Sequence, residues 1–274
     1  EGGKVIALMN QKGGVGKTTM AFNLAHALAR QGSKVLCLDM DPQANFSTLC
    51  GIESPTCHVH HLLVNSVKEL RALHVGVLPD EVIRPMPALE GGGQLHILPA
   101  GQELSGFELT VAGISSPRQL ILKRFLERSG LRETYDHIVI DGPPTLGLLV
   151  VNILCAVDGV LYPFVPDSFS KQGLKKVQQV LEDIKEMEIC GTPKNLGYIP
   201  NLFEARRKQS REEFERMGAE LTQGHVHAAF TNRAQFTRAL AARKSVFEYH
   251  NADYREIQDQ FMQVAQSVTQ ELRS

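Results

Sequence analysis

Apolar positions follow two rhythms along this chain of 274 residues. In the first they run unbroken for about one strand length: KVIALM (4–9), KVLCLD (34–39), HIVID (137–141), GVLYPFV (159–165) and NLGYIP (195–200). These runs are rich in β-branched residues and bounded by turn or charged residues, which predicts buried strands. In the second they recur along amphipathic helices: TTMAFNLAHALARQ (18–31), stopped by Gly32, then SPRQLILKRFLERS (116–129), KQGLKKVQQVLEDIKEM (171–187) and YREIQDQFMQVAQSVTQELR (254–273). Strands apolar at every position, alternating with such helices, predict an α/β fold: a mostly parallel, twisted sheet with helices on both faces. Residues 57–100 are less regular, and EGGGQLHILPAG (90–101) closes them with a glycine turn and one more strand. No repeat, low-complexity tract or Pro/Ser-rich linker divides the chain, so one domain is expected over 1–274. The first three residues, EGG, read as remnants of processing or expression.

Composition narrows the class. With 43% hydrophobic and 22% charged residues the chain can bury a full core. The net charge of -1 excludes a molecule that coats nucleic acid over its whole surface, so any basic site has to be local. Five scattered cysteines, Cys37, Cys50, Cys57, Cys155 and Cys190, suit free thiols in a reducing compartment, which predicts the cytoplasm. No apolar run reaches the length of a membrane span, and the first apolar stretch feeds a glycine loop instead of a cleavage site.

That loop is NQKGGVGKTT (10–19). Gly13, Gly14 and Gly16, between a strand and a helix, free backbone N–H groups to wrap a di- or triphosphate at the helix N-terminus. Lys17 then meets the β- and γ-phosphates, and the Thr18 hydroxyl can ligate Mg²⁺. The standard G-x-x-x-x-G-K-[ST] spacing fails, because Gln11 stands at its first glycine. Asp41 and Asp141 each follow an apolar strand, where a carboxylate can orient a water or support the metal.

KGGVGKT is the deviant Walker A pattern, and with DMDPQAN (39–45) and DHIVIDGPP (136–144) it resembles the ParA/MinD group of P-loop ATPases. HILPAG (96–101), SFSKQGL (168–174), GYIPN (197–201) and ARKSVFEY (242–249) extend the resemblance to partition ATPases of the ParA/Soj type, nearly end to end. It implies the P-loop NTPase fold and slow ATP hydrolysis with ATP and Mg²⁺ as cofactors. Gly13, Gly14, Val15, Gly16, Lys17, Thr18 and Thr19 would bind the nucleotide, with Asn201 on the adenine side. Thr18, Asp41 and Asp141 would serve the metal, Asp41 would position the attacking water, and Pro143 and Pro144 would stiffen a segment that reports the γ-phosphate.

The resemblance also explains a second lysine. If Lys17 serves its own nucleotide, Lys12 on the loop's rim can reach the phosphates of a second subunit, as the matching lysine does in the family's ATP-sandwich homodimer. Lys12, Lys17 and Asp41 are therefore the expected catalytic set.

From 201 to 244 nine Lys/Arg stand against five Asp/Glu, a local excess of four positive charges. Such a surface attracts duplex DNA through counterion release without reading its sequence. By the resemblance Arg206 is the first candidate, with Arg238 and Arg243 looser ones. Arg207, Lys208 and Lys244 share the basic segments. A ParB-like activator and nucleoid association complete the expectation.

CGIESPTCHVHH (50–61) gathers Cys50, Cys57, His58, His60 and His61, but the spacing fits no paired-cysteine zinc pattern, so an ordinary helical segment is expected there. The glycine loop begins too early for an N-terminal DNA-reading domain, and no basic, bulky-apolar tail closes the chain, so no stable membrane association is expected. A cluster-ligating cysteine of the nitrogenase iron-protein kind is also missing after the Walker B region. Two other readings remain: a MinD-like ATPase that positions a membrane-bound or protein cargo, and a metabolic ligase related to dethiobiotin or cobyrinate synthesis.

Overall fold

A strand apolar at every position has to be covered on both faces. The computed structural model describes residues 2–10, 16–87, 90–165, 168–201, 212, 216 and 225–274, with the backbone alone for 168–170. Its seven strands are β1 (Lys4–Leu8), β2 (Lys34–Asp39), β3 (Arg84–Pro85), β4 (Gln94–Leu98), β5 (His137–Asp141), β6 (Gly159–Phe164) and β7 (Lys194–Pro200). They form one sheet in the order β3-β4-β2-β5-β1-β6-β7. Every pairing is parallel except that of β3 with β4. The two-residue β3, which the sequence reading missed, is an edge strand, where Pro85 needs no ladder N–H.

Side chains sort between the faces with the period of two that a strand imposes. Val5 and Ala7 of β1, with Met9 just past it, join Leu36, Leu38, Ile138 and Ile140 in one core cluster. Ile6 and Leu8 join Val35, Cys37 and Val139 in the other. The first face is covered by α3 (Val59–Asn65), α4 (Ile121–Arg128), α5 (Leu148–Ala156) and α6 (Ser168–Glu186). The second is covered by α1 (Lys17–Arg30), the short α2 (Asn45–Leu49), α7 (Arg233–Ala241) and α8 (Arg255–Arg273).

The helix expected over 116–129 is shorter than its apolar pattern. A 3-10 turn covers Arg118–Leu120, and the α-helix begins at Ile121. Asn152 of α5 explains the break. Its Oδ1 accepts from the Leu122 N–H at 3.1 Å and its Nδ2 donates to the Arg118 carbonyl at 2.9 Å, which satisfies the backbone groups that a continuous helix would have paired.

α8 closes its face through aromatic packing. The Phe261 ring is 1% exposed, with its centroid 4.5 Å from Phe230, 5.9 Å from Phe236 and 6.4 Å from Phe247. Phe261→Ala removes the centre of this group. The expected loss is about 3–5 kcal/mol of unfolding free energy, read from the urea midpoint of the purified variant against the parent.

Candidate nucleotide site

Register brings three strand ends into line. Leu8 of β1 and Asp39 of β2 both pair with Asp141 of β5. Strands β1 and β2 are consecutive in the chain, yet β5 lies between them, so the order reverses beside β1 and leaves a crevice at the carboxyl ends, where α/β sheets hold ligands.

α1 starts in that crevice. Gly16 at its N-cap has φ 77°, a left-handed conformation, and an added Cβ there would lie 2.5 Å from Asn201 Nδ2. Glycine is thus required by both backbone and space. Among the described residues no side chain caps this helix end, which leaves its first N–H groups available to an anion. Asn201, at the end of β7, is buried beside Gly16, and its N–H donates to the Phe164 carbonyl at 2.8 Å. The structure therefore brings Asn201 to Gly16, at the start of the helix that carries Lys17, Thr18 and Thr19. Lys12, Gly13, Gly14 and Val15 lie outside the described residues.

Lys17 is only 8% exposed, and around it stand the three carboxylates of Asp141, Asp41 and Asp39. Burial pulls its pKa down, against the pull of those acids. Thr18 Oγ1 donates to Asp141 Oδ2 at 2.7 Å. Asp141 is fully buried, and its other oxygen, Oδ1, has no hydrogen-bond partner among the described residues. A buried carboxylate oxygen of this kind calls for a partner, and a water or a cation can supply it. The neighbouring donors, the Thr18 hydroxyl and the Asp41 carboxylate, are also hard oxygens, the set that suits Mg²⁺.

Asp39 is the member that sequence reading passed over. It lies inside DMDPQAN, but its partner is eight residues on: Ser47 donates to Asp39 Oδ2 from its hydroxyl at 2.7 Å and from its N–H at 2.9 Å. Asp39 Oδ1 accepts from the Asp41 N–H at 3.1 Å. Asp41 Oδ1 in turn accepts from the Gln43 N–H at 3.0 Å, and its carbonyl accepts from Ala44 N–H at 2.9 Å. Burial raises the pKa of both Asp39 and Asp141, and their mutual repulsion raises that of Asp39 further. Beside Asp41 a cleft is lined by Pro42, Gln43, Leu104, Glu108, Pro143 and Leu146.

The basic candidates divide. Arg206, Arg207 and Lys208 lie outside the described residues. Arg238, Arg243 and Lys244 are exposed at the C-terminus of α7. Lys244 N–H donates to the Ala239 carbonyl and Arg243 N–H to that of Leu240, a Schellman closure that puts Arg243 at φ 53°. Arg243 also pairs with Glu53 at 2.8 Å, an exposed contact that contributes little stability. This segment is anchored to α1: Asn23 Oδ1 accepts from Ser245 Oγ at 2.8 Å and from Val246 N–H at 2.9 Å.

Residues 3–192 match the family model described as an AAA domain. The chain is 36% identical over 211 residues to the chromosome-partitioning ATPase Soj of Treponema pallidum, covering 77% of this chain and 76% of that protein. It is 32% identical over 218 residues to the chromosome partitioning protein ParA of Myxococcus xanthus, covering 78% and 70%. Among solved structures, the fold is similar to an ATP complex of McdA from Cyanothece, with TM-score 0.80 and 23% identity over 98% of this chain and 97% of that one. It is also similar to cobyrinic acid a,c-diamide synthase of Mycobacterium smegmatis with a bound ATP analogue and magnesium, with TM-score 0.74 and 28% identity over 94% and 93%.

A carboxyl whose folded-state pKa is raised binds more protons in the folded than in the unfolded chain, so its contribution to stability falls as pH rises above the ordinary aspartate range. In protein free of nucleotide and magnesium, Asp39→Asn should therefore gain stability over the parent as pH approaches neutrality. Urea midpoints of both proteins across that range check it. The expected result is a difference that widens with pH, and a difference independent of pH would contradict the raised pKa.

Proposed function

This chain belongs to the ParA/Soj-type partition ATPases, and from that premise we propose that it is a Mg²⁺-dependent ATPase that dimerises around ATP, binds duplex DNA nonspecifically in that form and moves a DNA cargo. The observation that carries the ATPase reading is Lys17 buried among Asp39, Asp41 and Asp141, with Thr18 bonded to Asp141 and the other Asp141 oxygen without a hydrogen-bond partner among the described residues. One lysine against three carboxylates leaves room for a divalent cation. Mg²⁺ bound there would neutralise charge developing on phosphate oxygens.

In this reading Lys17 and the α1 N–H groups bind the phosphates, Thr18 and Asp141 hold the metal side, and Asp41 orients the attacking water. Lys12 acts on the nucleotide of a second subunit, and the cleft beside Asp41 faces that subunit. Asn201 lies toward the adenine. Arg206, Arg207, Lys208, Arg238, Arg243 and Lys244 contact DNA phosphates, so affinity falls steeply with salt. The Asn23 bonds to Ser245 and Val246 support a mechanical link from the phosphate-loop helix to this basic segment. A ParB-like protein stimulates turnover, and the protein works in the cytoplasm on the nucleoid. Among the described residues no helix is long and apolar enough to cross a membrane.

The likeness to cobyrinic acid a,c-diamide synthase favours a second reading, an ATP-dependent ligase on the same nucleotide site. Turnover strictly dependent on a small acid or amine would establish it. ATP-driven pelleting with liposomes, without DNA affinity, would instead support the MinD-like alternative.

The central test is the solution mass of Asp41→Ala with and without Mg²⁺-ATP, by light scattering, with nonspecific duplex added at low salt. Doubling of mass with ATP and capture of DNA by that form alone are expected. A mass unchanged in a variant that binds ATP would refute the sandwich dimer. Lys12→Ala should keep ATP affinity within about twofold and lose dimerisation and hydrolysis. Lys17→Ala should lose nucleotide binding altogether, measured by fluorescent-ATP titration. Arg206→Glu should dimerise with ATP yet lose DNA, and a parallel loss of dimerisation would assign Arg206 to the interface instead.

A further inference from the structure

The nucleotide site leaves one group of ligating side chains unused. His58 precedes α3, His61 lies one turn inside it, and Glu103 comes from the 3-10 turn Gln102–Gly106 that follows β4. One ring nitrogen from each histidine and one Glu103 oxygen all lie within 4.8 Å of one another. His58 Nε2 is 2.8 Å from Glu103 Oε2. The His58 and His61 rings lie 4.1 Å apart, tilted by 31°.

His58 is fully buried, and its Nδ1 has no hydrogen-bond partner among the described residues. The backbone is shaped around this ring: a Cβ on Gly101 would lie 2.2 Å from His58 Cδ2 and 2.3 Å from Nε2. Val59 N–H, donating to the Pro99 carbonyl at 2.9 Å, ties the start of α3 to the same turn. His61 is half-buried and Glu103 exposed, which leaves one side open to solvent.

We propose that His58, His61 and Glu103 bind a divalent transition metal of the zinc class. Two imidazoles and one carboxylate form a three-ligand zinc set that leaves a position for water. Such donors suit zinc, cobalt or nickel better than magnesium, which favours oxygen alone. Tetrahedral bonds of about 2.0–2.2 Å hold donor atoms about 3.3–3.6 Å apart. His58 Nε2 and Glu103 Oε2, 2.8 Å apart, therefore separate slightly through the exposed Glu103 side chain, while the His61 ring, whose Nδ1 accepts from the His58 N–H at 3.3 Å, turns toward them. The thiols that make segment 50–61 look zinc-binding are not part of the group: Cys50 Sγ instead contacts Met86 Sδ at 3.9 Å. The site also lies one step behind the nucleotide carboxylates, since Ala100 N–H donates to Ser47 Oγ, which donates to Asp39.

The test uses the full chain without a histidine tag or nucleotide. Zn²⁺ is titrated in competition with a chromophoric chelator, and Co²⁺ binding is followed by visible absorption. The expected result is one equivalent bound per chain, weakened at least tenfold in both His61→Ala and Glu103→Ala and unchanged in His225→Ala, which alters a histidine pair outside the site, His225 with His227. Glu103→Ala changes an exposed side chain and His61→Ala a half-buried one, and their urea midpoints in chelator report folding separately. Absence of a stoichiometric site, affinity unchanged in either folded site variant, or loss in His225→Ala would each overturn the proposal.

Discussion

Burying a lysine among three carboxylates is the constraint on which this structure turns. Isolated charges in an apolar interior are unstable, so each has to be met by an opposite charge, a hydrogen bond or a ligand. Lys17 is met by Asp39, Asp41 and Asp141, Asp39 by Ser47, and Asp141 by Thr18. The arrangement exists only because β5 enters the sheet between β1 and β2 and brings Asp39 level with Asp141. The sheet order and the charge cluster are in that sense one feature, and one Asp141 oxygen in it has no hydrogen-bond partner among the described residues.

Two covalent paths leave this cluster. One follows Asp41 into a tight turn in which Ala44 takes φ 56°, unusual for a residue with a Cβ, and then into α2 with Ser47. Strain of this kind persists only where surrounding bonds fix the conformation, and here the Asp41 carbonyl and Ala44 N–H supply one of them. The other path is α1 itself, whose Asn23 clamps Ser245 and Val246 below the exposed Arg238, Arg243 and Lys244. Bound phosphate would thus act on one end of a rigid helix whose flank holds the basic segment.

The His58, His61 and Glu103 group touches the first path from behind through Ala100 and Ser47. A metal there would stiffen the turn after β4 and, through Ser47, the setting of Asp39. The connection is a chain of single hydrogen bonds, so its effect on the nucleotide site is expected to be smaller than that of any residue within the cluster.

Periodicity alone specified the layered α/β fold, because unbroken apolar runs can be satisfied only by a sheet buried on both faces. The order of glycines, Lys17 and Thr18 after β1 likewise pointed to a phosphate loop, since the backbone chemistry is local. What the sequence could not specify was contact between distant segments. Helix 116–129 is cut short by Asn152, a residue from the next helix. Asp39 acquires its place from Ser47 and from strand register, and Glu103 meets His58 and His61 only because the turn after β4 packs on the start of α3. Local dihedral and hydrophobic preferences are written in neighbouring residues, whereas the meeting of charges and ligands depends on strand order and helix packing, which only the folded chain decides.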